Sequence, residues 1–331
     1  MPPSNLSQKC LRTPLPIHWT HNYPSPMAYR RSSRRKSSYR PRSTKSRYGR
    51  RRSTATRRSS VRRRPVRRMS TRAILNKTSQ KKRDNMLSFT NTTAENPFSP
   101  DYTAGGAVMR HAVGKEPLEF IYIFNATGRP GENSTGQRGS KMDISLRTSE
   151  SIYAVGIKER IQLETNNAAP WTWRRICFTS KDDFGESDPD TSKFFRRTSN
   201  GLVRLLSAQE TPNYLNDQLF EGARNEDWLS SLTAPVSHKN FTIKYDKTRT
   251  IRSTNNSGTI RTMKMWHPMY HNIVYDGEQA GEKMVDSSTS VTGRPGMGNY
   301  YIVDIFRKHG PNDDQSTLTF TPESTFYWHE K

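Results

Sequence analysis

The chain has 331 residues, with 54 Lys and Arg against 30 Asp and Glu and a formal net charge of +24. Of the basic residues, 26 lie in residues 1–83, where there is no acid; Asp84 is the first, which leaves 28 basic against 30 acidic residues in 84–331. One cysteine in each part, Cys10 and Cys177, excludes a disulfide scaffold for the body, and no stretch approaches the ~18 consecutive apolar residues of a membrane-spanning helix.

Residues 1–26 are a Pro-rich tip (Pro14, Pro16, Pro24, Pro26) whose only charged side chains are Lys9 and Arg12. They hold no apolar signal-peptide core; an organelle transit peptide is the lesser alternative. The basic run begins at Met27-Ala28-Tyr29-Arg30-Arg31, which makes Met27 an expected second start site. Residues 27–83 then form an arm. It carries Arg30, Arg31, Arg34, Arg35, Lys36, Arg40, Arg42, Lys45, Arg47, Arg50, Arg51, Arg52, Arg57, Arg58, Arg62, Arg63, Arg64, Arg67 and Arg68 among Ser and Thr. Such a segment buries too little apolar surface to offset backbone entropy, so it is expected to be disordered on its own. Its natural partner is a polyanion, because each neutralised phosphate releases condensed counterions. No apolar stripe at helical spacing runs through it, so a membrane is not the expected partner. Tyr29, Tyr39 and Tyr48 recur among the cations, as suits single-stranded nucleic acid, whose unpaired bases stack on aromatic rings. Arg47 with Arg50–Arg52, and Arg62–Arg64 with Arg67 and Arg68, also have the form of nuclear localisation signals, which implies nuclear import receptors as partners.

The body, 84–331, reads as strands separated by turn residues. The β-prone or alternating stretches are Met86–Thr90, Leu118–Phe124, Met142–Leu146, Ile152–Leu163 with a bend at Gly156, and Trp171–Phe178. Further along come Phe241–Tyr245, Thr259–Val274 broken at Pro268, Tyr300–Phe306, and Leu318–Phe320 leading to Phe326–Trp328. Residues 180–237 interrupt the series with an acidic loop (Asp182, Asp183, Glu186, Asp188, Asp190). A stretch from Tyr214 to Leu232 follows, predicted partly helical with Leu215, Leu219, Ala223, Trp228, Leu229 and Leu232 on one face. Insertions of this length are usually functional or a contact surface. The expected fold is all-β: a single eight-stranded antiparallel jelly roll carrying the basic arm.

A second basic region lies in the body: Lys239, Lys244, Lys247, Arg249, Arg252, Arg261 and Lys264, with only Asp246 among them. It reads either as a nucleic-acid contact, centred on Lys244, Lys247 and Arg249, or as a solvated strand face. Trp171, Trp173, Arg174 and Arg175 are expected in the core or at a subunit contact. No enzyme, metal or cofactor signature survives. Gly128–Gly139 lacks the Gly-Lys-Ser/Thr ending of a phosphate loop, His267 and His271 flank Pro268 in a strand-like segment, and the acidic loop fits no calcium-binding pattern. A nicking and unwinding enzyme would need paired histidines and a complete phosphate loop; the chain offers neither.

The body resembles the coat protein of the genomoviruses, small circular single-stranded DNA viruses related to the geminiviruses. The resemblance is carried by Thr71-Arg72, Ile74-Leu75-Asn76, Lys81-Lys82-Arg83-Asp84, Met86-Leu87, Gly156-Ile157-Lys158-Glu159 and the run from Ala169-Pro170-Trp171 to Cys177-Phe178. Tyr245-Asp246-Lys247-Thr248-Arg249-Thr250-Ile251, Met265-Trp266-His267-Pro268, Gly296-Met297-Gly298 and Tyr327-Trp328-His329-Glu330-Lys331 complete it. It implies a jelly-roll shell protein that assembles with copies of itself, encloses circular single-stranded DNA and enters the host nucleus. Residues 1–26 depart from it. A shell of about 60 copies would carry roughly 1,560 arm cations, enough to neutralise most of a genome of ~2,000 phosphates. The rival reading is a cellular nucleic-acid-binding protein with a basic tail.

Overall fold

The computed structural model describes residues 69–110, 119–208, 218–281, 283–310 and 315–331. All belong to one unit, Val66–Lys331. In chain order the elements are α1 (Thr71–Thr78), β1 (Gln80–Met86), β2 (Ser88–Thr90), β3 (Thr103–Ala104), β4 (Ala107–Arg110), β5 (Glu119–Asn125), β6 (Ser151–Thr165) and β7 (Trp171–Ser180). They continue as β8 (Phe195–Thr198), β9 (Gly201–Leu206), β10 (Thr242–Ile251), β11 (Thr259–Ala280), β12 (Lys283–Ser290), β13 (Asn299–Lys308) and β14 (Thr317–Glu330).

Three sheets result. The largest runs β1-β14-β6-β11-β12, with β4 also on β14; the second runs β10-β7-β13-β5; a small third runs β3-β2-β9-β8. Eight strands pair as nested antiparallel hairpins: β1 with β14, β5 with β13, β6 with β11, and β7 with β10. The β14–β6 and β13–β7 pairings join these four hairpins into the two main sheets. The body is thus all-β, built of antiparallel sheets in a jelly-roll-like arrangement.

The core explains the sequence pattern. Ile157, Phe326 and Trp328 of the large sheet meet Cys177, Tyr300 and Ile302 of the second sheet. Ile161, Leu163 and Phe320 meet Trp171, Trp173 and Phe306 in the same layer. The other face of the second sheet is also covered: Ile176, Phe178, Tyr301 and Val303 pack under Phe194, Phe195, Leu219, Phe220 and Trp228 of the insertion. A sheet buried on both faces needs no polar alternation, which is why β13 is a nearly continuous apolar run.

Several expectations need correction. β1 starts at Gln80, with Lys82, Asp84 and Met86 turned inward and Lys81, Arg83 and Asn85 outward. Its inward charges are matched by distant partners: Lys82 Nζ lies 3.2 Å from Glu330, and Arg129 donates to Asp84 at 2.7 Å. Met142–Leu146 is no strand, because Ser140 and Asp143 hold it in a turn; Asp143 Oδ2 accepts from the Ser140 amide at 2.6 Å. Of the stretch from Tyr214 to Leu232, residues 214–217 lie outside the described residues, and from Phe220 to Leu232 the chain is turns and bridges rather than helix. Gly222 and Asn225 there take left-handed φ of 79° and 69°, which end a helix. β11 runs through Pro268 and continues beyond Val274; the proline produces a register shift before His271, not a break. Strands β3, β4, β8, β9 and β12 are not among the stretches read from sequence.

Candidate nucleic-acid interface

The arm cations from Arg30 to Arg68, with Tyr29, Tyr39 and Tyr48 and both nuclear localisation clusters, lie outside the described residues. The three body residues singled out in sequence separate into two kinds. Lys244 and Lys247 are exposed on β10, an edge strand of the second sheet. Arg249 instead turns inward. Its guanidinium lies 5.5 Å from the Trp173 ring centroid and donates to Tyr245 Oη at 3.0 Å and to Met263 Sδ at 2.9 Å. Asp246, the one acid in that run, is occupied by Arg174, which holds both carboxylate oxygens at 3.0 and 2.7 Å. Trp171 and Trp173 are fully buried in the core, so neither is available to stack on a base.

A second constellation lies on the large sheet, and the register assembles it. On the face turned away from the core, Lys81 is paired with His329, and Arg83 with Tyr327. His329 is paired with Tyr153, Thr325 with Lys158, and Glu323 with Arg160. Lys158 in turn is paired with Trp266, and Arg160 with Lys264. Directly paired residues on one sheet face have Cβ atoms ~4.5–5.5 Å apart, so these side chains are neighbours. Lys81, Lys158, Trp266, Tyr327 and His329 line a groove of about 380 Å³. The Trp266 and Tyr327 rings lie 6.0 Å apart at 59°, and those of Tyr153 and His329 lie 6.1 Å apart. Burial, then Lys81, push the His329 imidazole below its ordinary value, which favours a neutral ring.

Gly156 is what lets Trp266 lie there. A Cβ at residue 156 would come within 2.7 Å of the indole ring and 2.6 Å of the His267 carbonyl oxygen. The tryptophan therefore rests on bare backbone where β6 crosses beneath it.

Between the sheets, on the core side of the same strands, sits a buried charge cluster. Arg175 donates to Asp304 Oδ1 and Oδ2 at 2.6 and 2.8 Å and to Glu159 at 2.6 Å. Arg204 contacts Glu159 and, at 3.1 Å, Asp304; Trp173 Nε1 adds a 2.8 Å bond to Asp304. His267 Nε2 stands 3.3 Å from Glu159, and Cys177 Sγ lies 3.8 Å from His267 Nδ1. Burial alone would raise Glu159, but Arg175 and Arg204 outweigh it and hold the carboxyl far below the usual range. Arg175 moves oppositely: burial would lower it, and Asp304 and Glu159 raise it. Burial pushes the Cys177 thiol well up, which makes it unreactive. With two arginines against two carboxylates and no access to solvent, this cluster cross-links β6, β7, β9 and β13. It is a structural element, not a binding site.

Sequence reasoning missed the outward constellation because its members lie on four strands. The available signal was the outward half of each alternation, Lys81/Arg83 and Lys158/Arg160, which share a face only once the strands are paired.

No protein-family model matches the chain, and no curated protein matches it. Among solved structures it has a faint likeness to a mutant of the unassembled VP1 pentamer of Washington University polyomavirus. The identity is 10%, covering 79% of this chain and 96% of that one, with a TM-score of 0.12. A likeness at that level carries no inference.

Proposed function

We propose that this chain is the coat protein of a small circular single-stranded DNA virus of the genomovirus kind. Its body is an eight-stranded jelly-roll subunit that closes with copies of itself into an icosahedral shell. Its N-terminal arm binds and packages the genome, and the arginine clusters in that arm direct the newly made protein to the host nucleus. The role is structural rather than catalytic.

One observation carries the reading: nested pairing of first strand with eighth, second with seventh, third with sixth and fourth with fifth, in a chain whose excess charge precedes the first of those strands. The nested arrangement supports a rigid tile. The acid-free segment ahead of β1, with 23 cations, supports a tether for a polyanion. Together they support a container whose wall and cargo grip are two parts of one polypeptide.

Repulsion among many such arms opposes assembly at low salt unless a polyanion is present. Purified full-length protein is therefore expected to form closed hollow particles in electron micrographs, more readily with single-stranded DNA, with the promotion shrinking as salt rises. Monomers or irregular aggregates under every condition, with the body still folded, would refute the proposal and favour a cellular nucleic-acid-binding protein.

A further inference from the structure

We infer that the body contributes its own contact to single-stranded DNA: the outward face of the β1-β14-β6-β11 sheet, with Trp266 and Tyr327 as stacking platforms and Lys81, Lys158 and Lys264 as phosphate contacts. This rests on the reading of the chain as a single-stranded DNA packaging protein and adds a second, folded site to the arm.

Charge comes first. Around Trp266 the face presents Lys81, Arg83, Lys158, Arg160 and Lys264 against two acids, Glu164 and Glu323, with a third, Asp276, farther along β11. Among the described residues none of the five cations is in an ion pair, so their charge is available to a ligand. The contrast with the interior is direct: Lys82, between Lys81 and Arg83, is already matched by Glu330.

The aromatic groups decide which polyanion. Trp266 is 43% exposed, although its ring has a glycine-floored seat and a large core lies one residue away on either side of the strand. Tyr327 stands beside it, and Lys158 is the direct cross-strand neighbour of Trp266. Rings interleaved with lysines match unpaired bases joined by phosphates, since every base offers a π-face and stacking is worth about 1–3 kcal/mol per base. Duplex DNA shows no free base face to such a platform. The chain's own arm is excluded as occupant by its sign, because residues 1–68 contain no acid. The groove's volume is within the usual ~300–1,000 Å³ of small-ligand sites, which suits a base with its sugar.

Photo-crosslinking tests this on the full-length chain. A 20-nucleotide deoxyuridine oligomer bearing 5-iodouracil is bound, irradiated and mapped by peptide mass spectrometry. The expected result is crosslinks within Lys264–His267 and Thr325–Trp328 in addition to residues 27–68. Full-length Trp266→Leu is expected to lose the first of these and to weaken oligonucleotide binding about tenfold once arm binding is suppressed by salt. Should that variant misfold, Lys158→Ala with Lys264→Ala, both exposed, provides the second arm. It is expected to reduce the salt slope of binding by about 1.4, the value for two single-strand phosphate contacts. Crosslinks confined to residues 27–68 would overturn the inference while leaving the proposed function standing. Failure of the intact chain to bind the oligomer at all would overturn both. Protein–protein crosslinks between this face and the acidic loop at 182–190 of a second copy, unaffected by DNA, would overturn it in favour of a subunit contact.

Discussion

Lys158, Glu159 and Arg160 are consecutive residues of one strand, yet they belong to two electrostatic worlds. Lys158 and Arg160 point into water, where a charge is cheap, screened and available to a partner. Glu159 points between the sheets, where an unpaired charge would cost several kcal/mol and is tolerated only because Arg175 and Arg204 meet it. Period-two geometry assigns these fates; residue type does not. Charge in this body therefore has two uses. Inside it ties strands together, Glu159 of β6 and Asp304 of β13 each meeting Arg175 of β7 and Arg204 of β9. Outside it forms a surface.

That contrast can be broken, most forcefully from the inside. Asp304→Ala removes the acceptor shared by Trp173, Arg175 and Arg204 and leaves two buried cations short of a partner. It is expected to cost about 3–5 kcal/mol in urea denaturation, and a loss no larger than a surface substitution would show that the cluster is not a structural cross-link. Acid gives the second test. Because Glu159 titrates below its unfolded value of about 4.3, its stabilisation is complete above that pH and is lost as pH falls through the folded value. The denaturation midpoint of the wild type should fall between about pH 5 and pH 2 more steeply than that of Glu159→Gln. Equal slopes would count against the assignment. Third, Gly156→Ala places a methyl against the Trp266 ring and the His267 carbonyl. A loss of about 1–3 kcal/mol is expected from overpacking, with a shift in tryptophan emission as the indole moves; unchanged emission would mean that the seat is not confining. Lys158→Ala should be the mildest, within about 0.5 kcal/mol of wild type, so that any binding defect it shows is not a folding defect.

Where hydrophobicity alternates, or runs unbroken, the strands are legible in sequence: Ile152–Leu163, Trp171–Phe178 and Tyr300–Phe306 all fall within observed strands. β1 is not, because its inward positions are Lys82 and Asp84, and the ions that make them acceptable inside, Glu330 and Arg129, are far away in the chain. Met142–Leu146 alternates as a strand should, but a local turn at Ser140–Asp143 outcompetes sheet pairing. The outward site is the least legible feature. The bend at Gly156 can be read directly, whereas its purpose, a seat for Trp266, appears only when β6 and β11 are in register. Of Lys244, Lys247 and Arg249, composition cannot distinguish the two that face water from the one folded over Trp173.

The pairing of β1 with β14 also sets a clock. Gln80 is matched with Glu330, and Asn85 accepts a hydrogen bond from Thr325, 240 positions later. During synthesis β1 emerges early and has no edge to join until β14 has been made. Its inward lysine has no counter-ion until residue 330 has left the ribosome. Closure of the large sheet therefore waits on a strand far along the chain, and contacts of such long range are the slow ones. Until that closure, Lys81, Lys82 and Arg83 belong with the acid-free segment that they complete.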